Sequence, residues 1–221
     1  MAHTVTVAGV ITRIREMADM ENTQFITDAE ILRRVNQSYR RLYNEIAATC
    51  EDYFTISTTI PTVANQADYD LPADFYKLRG IDFEDANRPA SLQRFEFRQR
   101  NIKVWPGQQP AAYTLVNDHF TVYPTPSGVH NLTFHYIPVP ADLTAVDSFN
   151  AYNGWDQYVT EQVAIQCLEK EESDASGLRA DFERTRRDII SYFTPRDEAN
   201  ARMMRDVFEE RADEFTNRWP V

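Results

Sequence analysis

The chain has 221 residues, 43% of them hydrophobic and 26% charged, a composition typical of a soluble globular protein with a core of its own. No apolar run approaches the ~18 residues of a membrane helix, and no secretory signal opens the sequence, so we expect a cytoplasmic protein. The formal charge of −11 argues against a general nucleic-acid binder, because affinity for phosphate backbones comes largely from clustered Lys and Arg.

Apolar residues at helical spacing predict two helices in the first fifty residues, at about 5–21 and 27–49. The first has the apolar positions Val7, Val10, Ile11, Ile14, Met17 and Ala18. The second opens with TDAE, where Thr27 can cap the helix and Glu30 can reach back as a capping box. Its apolar face consists of Ile31, Leu32, Val35, Tyr39, Leu42, Tyr43 and Ile46, and its polar face of Arg33, Arg34, Arg40, Arg41 and Glu45. The short link between the helices predicts an antiparallel hairpin.

A β region begins at about Tyr53, where the sequence YFTISTTI is β-branched and alternating. Turn-like PTVANQ follows, and YTLVNDHFTVYP predicts a hairpin folded at Asn117 and Asp118. We predict five or six strands between residues 53 and 140. Helical spacing then returns and predicts helices at about 153–172 and 176–193.

These segments predict an α+β fold in which two helical hairpins, residues 1–52 and 151–194, pack as a four-helix bundle. An antiparallel β domain, residues 53–150, is inserted between the hairpins. Residues 195–221 have no place in that bundle and form a predicted C-terminal docking arm. The apolar residues of the arm are Met203, Met204, Val207, Phe208, Phe215 and Trp219.

The sequence has none of the patterns that indicate an enzyme or a cofactor site. It lacks a nucleophile elbow, a P-loop, a dinucleotide-binding fingerprint, zinc-ligand spacing and an EF-hand loop. His119, His130 and His135 could converge on a metal ion, but ordinary strand and surface histidines are the favoured interpretation. Cys50 and Cys167 fit buried, reduced thiols. We therefore predict no catalytic, cofactor or metal site; a hydrolase using unrecognised carboxylates is a weaker alternative.

Two arginine-rich stretches have both a binding and a structural interpretation. In RFEFRQRNIK, Phe95 and Phe97 alternate with Arg94, Arg98, Arg100 and Lys103, a mixture that can stack bases. An edge strand with a charged outer face is the favoured interpretation. ERTRRD places Arg184, Arg186 and Arg187 on the polar side of a helix. We predict that Arg40, Arg41, Arg184 and Arg187 contact neighbouring subunits.

The order of several phrases along the chain resembles a known family. The phrases are FITDAEILRRVNQSYRRLYNEI, YFTISTTIPTVANQADYDLPADFYKLRGIDF, FTVYPTPSGVHNLTFHYIPVPADLT and NGWDQYVTEQVAIQCLEKEESD. Together they resemble tailed-phage head-to-tail connector proteins, the adaptors that sit beneath the portal. The resemblance covers roughly residues 5–195 and is most specific in DLPADFYKLRG and in the phrase that begins with GWDQY.

The resemblance implies a structural virion protein at the head–tail junction, assembled in the host cytoplasm and acting in genome ejection. It implies a homo-oligomeric ring, expected to be a dodecamer, between the portal protein and a downstream tail or neck protein such as a stopper, tail tube or nozzle. DNA would pass through the ring without tight binding, and no membrane is involved. Portal docking by the arm is inferred from its Met and aromatic content. The alternative is a carbohydrate- or receptor-binding virion module that uses the tyrosine-rich β domain.

Overall fold

The computed structural model describes residues 4–20, 25–50, 52–84, 90–96, 109–151 and 153–193. Its helices are α1 (Val7–Met17), α2 (Asp28–Thr49), α3 (Trp155–Lys170) and α4 (Ser176–Phe193). The α+β class is confirmed, and all four predicted helices are present with slightly shorter ends for the first and third. Within these ranges, no helix is both long and apolar enough to cross a membrane. The predicted arm, with Met203, Met204, Val207, Phe208, Phe215 and Trp219, lies outside the described residues.

The β region consists of two four-stranded sheets. Its described strands are β2 (Ile56–Pro61), β3 (Asp68–Asp70), β4 (Phe75–Glu84), β5 (Ala90–Ser91), β6 (Gln93–Arg94), β7 (Ala112–Val116), β8 (His119–Tyr123) and β9 (Asn131–Pro138), more than the five or six predicted. The strand orders are β2-β9-β4-β5 and β3-β8-β7-β6. Every pairing is antiparallel except β6 with β7, which is parallel, so the prediction of an antiparallel β domain is incomplete.

The two sheets share one apolar core. Phe120 of β8 and Phe134 of β9 are fully buried, and their ring centroids are 5.3 Å apart. Alternate residues of β8 and β9 point into this core, as expected for strands with one buried face. The predicted hairpin between β7 and β8 is confirmed, with Asn117 at φ 53°, a left-handed conformation that asparagine tolerates.

The predicted four-helix bundle is wrong, although the helices themselves are present. In a bundle, each helix contributes a comparable apolar stripe to one shared core. Here α3 is buried on most of its circumference, and α1, α2 and α4 pack around it. Among its own residues α4 buries only Ile189 and Phe193, and α1 has 11 residues against 22 in α2. Apolar spacing predicts that a helix is buried on one side, but it does not specify which helix becomes the centre.

Further elements tie the ends of the helical layer together. A short sheet pairs β1 (Thr4–Thr6) with β10 (Ser148–Asn150), which connects the start of α1 to the segment before α3. Gly154 caps α3 at φ 76°, a left-handed conformation that favours glycine. The predicted cap of α2 is confirmed, because Thr27 Oγ1 accepts from the Glu30 amide at 3.2 Å. The capping-box role of Glu30 is not seen: its carboxylate accepts from Lys170 and Arg34 instead.

The helical layer meets the sheets through aromatic side chains near the end of α2. Tyr43 donates its hydroxyl hydrogen to the Pro138 carbonyl oxygen of β9 at 2.7 Å. Its ring stacks on Phe54 with a centroid distance of 3.9 Å. The Phe54 ring in turn meets Tyr53 at 4.7 Å. The hydrogen bond therefore joins α2 to β9, an inner strand of its sheet, and the ring contacts join α2 to the segment that follows it.

Candidate functional site

The three histidines of the β region lie apart from one another in separate local contacts. His119 Nδ1 lies 2.8 Å from an Asp70 carboxylate oxygen, and His135 Nε2 lies 3.1 Å from one of Asp82. The His130 ring packs near the Phe83 ring at 5.0 Å. In the described part of the chain, no three His, Cys, Asp or Glu side chains are grouped so as to hold a metal ion. These contacts give the histidines roles in cross-strand pairing and packing.

The two cysteines form no disulfide. Cys167 is buried in α3, and burial raises the pKa of its thiol. A raised thiol pKa lowers the fraction of thiolate, the form that attacks substrates and binds metals. Cys50 is half-buried at the end of α2. The predicted burial is therefore observed for Cys167 but only partly for Cys50.

Only the start of the stretch RFEFRQRNIK falls within the described residues. Phe95 is 4% exposed, and its ring packs 5.1 Å from the Tyr123 ring, so it belongs to the interior and not to a stacking surface. Arg94 is exposed on β6. Phe97, Arg98, Arg100 and Lys103 lie outside the described residues.

Within the described residues, the aromatic side chains of the β region lie mainly inside it. The buried set comprises Tyr69, Phe83, Phe95, Tyr113, Phe120, Phe134 and Tyr136. Tyr76 is an exception, at 48% exposed. Sugar binding by stacking needs exposed aromatic rings, so the carbohydrate-binding alternative gains little support from this arrangement.

The four arginines predicted to contact other subunits are all exposed, two on α2 and two on α4. Arg40 forms an ion pair with Asp142 of its own chain. Arg184 lies 3.6 Å from Asp181 one turn earlier, and Arg187 donates to the carbonyl oxygen of Glu183 in its own helix. The structure therefore places these residues on outer surfaces, where contact with another copy is sterically possible.

Arg186, between the two exposed arginines of α4, has a different role. It binds both carboxylate oxygens of Glu45 on α2, at 3.0 and 3.3 Å, and that hydrogen bond raises the pKa of its guanidinium. The stretch ERTRRD thus contains one arginine that joins α4 to α2 and two that point away from the helical layer. The outward face of α4 comprises Arg184, Arg187, Asp188 and Ser191, with Tyr192 at its border.

A groove with a volume of about 720 Å³ lies between α1 and α3. Arg13, Glu16 and Met17 line it from α1; Ala151, Gly154, Asp156, Gln157 and Thr160 line it from the α3 side. Met17 is 42% exposed there, although its position in the helical pattern predicts burial. We call this feature the α1–α3 groove.

An ion pair fixes the two walls of the α1–α3 groove relative to each other. Arg13 Nη1 donates to an Asp156 carboxylate oxygen at 2.7 Å, and Asp156 is 12% exposed at its side chain. Beside the groove, Gln157 donates to one oxygen of the buried Glu161 at 2.7 Å. The second oxygen of Glu161 has no hydrogen-bond partner in the described part of the chain. Most of the residues that line the groove are polar, and the exposed Met17 adds a thioether.

Sequence reasoning missed the groove, because its two walls are 143 residues apart at the ion pair. Both helices contain other charged residues, such as Glu16 in α1 and Glu161 in α3, so no local signal in the sequence distinguishes Arg13 and Asp156. A single sequence gives no reason to pair one with the other.

The sequence matches the SU10 adaptor protein family over residues 5–207, which is most of the chain. The chain belongs to the SU10 adaptor protein family. This is a phage head–tail adaptor family, so the predicted resemblance is confirmed and the chain is a structural phage adaptor. No curated protein matches the sequence.

Proposed function

We propose that this adaptor forms a ring of identical copies beneath the portal and links the capsid vertex to the downstream tail or neck protein. We expect a dodecamer through which DNA passes during genome ejection. The observation that carries the proposal is the family match over residues 5–207, which includes the helical layer, both sheets and the first part of the arm. No step of this function requires a reaction to be catalysed.

We assign portal docking to residues 195–221, with Met203, Met204, Val207, Phe208, Phe215 and Trp219 as the contacting side chains. Methionine and aromatic residues are enriched at the centres of protein interfaces. Where α4 ends, the Phe193 ring packs 4.9 Å from Tyr53 and 6.3 Å from Trp155. The arm is thus joined to the body at an anchored position, which supports a role in holding the body against a partner.

The charge of the chain is compatible with a DNA channel. At −11 the protein repels phosphate backbones on average, so DNA can move past without being held. We assign Arg40, Arg41, Arg184 and Arg187 to contacts between copies. Charged contacts of this kind steer association more than they strengthen it.

Co-purification with the portal protein of the same phage tests the portal assignment. We expect the full chain to be retained by immobilised portal and to form a ring visible in negative-stain images. A chain lacking residues 196–221 should keep its melting temperature but lose retention. Retention of the truncated chain, or unfolding of its body, would contradict the assignment of the arm.

A gel-shift titration at physiological salt tests the nucleic-acid prediction. We expect no tight binding of double-stranded DNA by the full chain. Tight binding that is lost on replacing Arg184 and Arg187 with glutamate would mean that these arginines bind DNA and not a neighbouring copy.

A further inference from the structure

Two exposed surfaces lie on opposite sides of α3. Successive residues of an α-helix are about 100° apart around its axis. Asp156 and Thr160, which line the α1–α3 groove, are therefore nearly opposite Tyr158 on α3. The Tyr158 ring packs 4.9 Å from Phe182 of α4. The groove and α4 thus form opposite flanks of the helical layer.

The α1–α3 groove offers a negative charge and an apolar contact to a ligand. Its Arg13 is neutralised by Asp156 at 2.7 Å. The exposed Glu16 carboxylate has no hydrogen-bond or ion-pair partner within the described ranges of the chain. Met17 adds a thioether that is 42% exposed, and a flexible thioether adapts well to a partner side chain. A complementary surface would present a cation beside an aromatic or apolar group.

The outward face of α4 has these properties. Arg184 is 73% exposed at its side chain, and its 3.6 Å contact with the exposed Asp181 contributes little. Arg187 lies on the same face, with its Nε bonded to a carbonyl oxygen of its own helix. Tyr192 is 69% exposed at the border of the face. Arginine and tyrosine, together with tryptophan, are enriched at energetically dominant interface positions.

We propose that the α1–α3 groove of one copy receives the outward face of α4 from the next copy. In this contact Glu16 binds Arg184 or Arg187, and Met17 packs against Tyr192. The two surfaces differ and lie on opposite flanks, so each copy offers one surface to each neighbour. Such a head-to-tail contact can close into a ring, whereas a contact between identical patches ends at a dimer. This inference rests on the ring proposed above and specifies the contact that would build it.

Photo-cross-linking tests the contact without assuming its register. Met17 is replaced by benzoylphenylalanine in the full chain, and isotope-labelled copies are mixed with unlabelled ones. The mixture is then assembled on the portal protein and irradiated. We expect cross-links between differently labelled copies that map to residues 176–193. Cross-links only within one copy, only to portal or only to another segment would overturn the proposal. The same probe at Val146, which is 87% exposed on a loop, should not label 176–193; equal labelling would also overturn it.

Charge exchange provides a second measurement. Glu16→Arg, and separately Arg184→Glu with Arg187→Glu, should each lower the number of copies retained per portal at least several-fold. Combining all three changes should restore retention, and the matched control Glu171→Arg, at the far end of α3, should have no effect. Unchanged retention in the separate variants would refute the contact. If the unmodified chain does not bind portal, both proposals fail; if it binds without the expected cross-links, only this contact fails.

Discussion

Tyr43→Phe removes one hydroxyl from the junction between α2 and the sheets. Tyr43 is 5% exposed and donates to the Pro138 carbonyl oxygen at 2.7 Å. Phenylalanine keeps the ring that stacks on Phe54. We therefore expect the free energy of unfolding at neutral pH to fall by about 1 to 2 kcal/mol, the combined effect of a lost hydrogen bond and a carbonyl left without its partner.

The same variant should change how stability depends on pH. Burial, with smaller effects from Tyr39, Tyr76 and Asp74, raises the pKa of Tyr43 to about 12. In the unfolded chain the pKa is about 10. Between these values the unfolded chain loses a proton that the folded protein keeps, so stability is fully present below pH 10 and falls as pH rises toward 12. Tyr43→Phe has no hydroxyl to ionise at this position, so it should not lose stability in this way.

The lost hydrogen bond lowers the stability of Tyr43→Phe, whereas the titration of Tyr43 lowers the stability of the wild type at high pH. The difference between the two proteins should therefore decrease as the pH rises. At pH 11 the titration of Tyr43 should have removed about 1.4 kcal/mol from the wild-type chain. The stability difference between the two proteins should therefore shrink to about half by pH 10.5 and nearly vanish at pH 11. Urea denaturation followed by tryptophan fluorescence at pH 7, 8, 10, 10.5 and 11 measures this stability difference.

Tyr192→Phe is the matched control, because Tyr192 is 69% exposed on α4. We expect this change to leave stability within about 0.5 kcal/mol of wild type at every pH. If the free energies of unfolding of wild type and Tyr43→Phe differed by a constant amount from pH 8 to 10.5, the raised pKa of Tyr43 would be refuted. Such a result would mean that the hydroxyl ionises equally in the folded and unfolded chains.

Four further changes test the helical layer by chemical denaturation. Leu42→Ala empties a site that is 1% exposed and should cost about 2 to 5 kcal/mol, while Phe182→Ala, only partly buried, should cost less than about 3; a larger cost for Phe182→Ala than for Leu42→Ala would contradict the assigned core. Glu161→Leu should stabilise by about 1 to 3 kcal/mol, because it removes a buried carboxylate oxygen without a partner in the described residues; destabilisation would show that the oxygen is satisfied. Arg186→Met should cost about 0.5 to 1.5 kcal/mol by breaking the pair with Glu45, and 1 M salt should reduce that cost. A cost unaffected by salt would indicate lost packing instead.

Local patterns predicted the elements of this fold because local physics determines them. The Thr27 cap and the turn at Asn117 depend on residues within three positions of each other, and both are observed. Met17 shows the limit of this reasoning. Its spacing matches an apolar stripe, yet the stripe is wider than the surface that α3 covers, so the last turn of α1 projects Met17 into the groove.

Long-range pairing could not be predicted from one sequence. Glu30 has good capping-box spacing, but Lys170, 140 residues away, holds its carboxylate at 2.8 Å and lowers its pKa. The bundle prediction failed for the same reason. Four amphipathic helices can pack in several ways, and the choice of α3 as the centre depends on side chains that meet only in three dimensions, such as Tyr158 with Phe182.

The central position of α3 has a consequence for assembly. Both surfaces in the proposed contact between copies are attached to α3, one through Asp156 and the other through Tyr158. The angle between them is therefore fixed by how α1 and α4 pack on a single helix. A closed ring of twelve requires successive copies to turn by about 30°, and a ring closes only if that angle is reproduced at every contact. Packed interiors resist small distortions, so a buried α3 is a suitable element to fix the number of copies, whereas a loosely packed one would allow rings of several sizes.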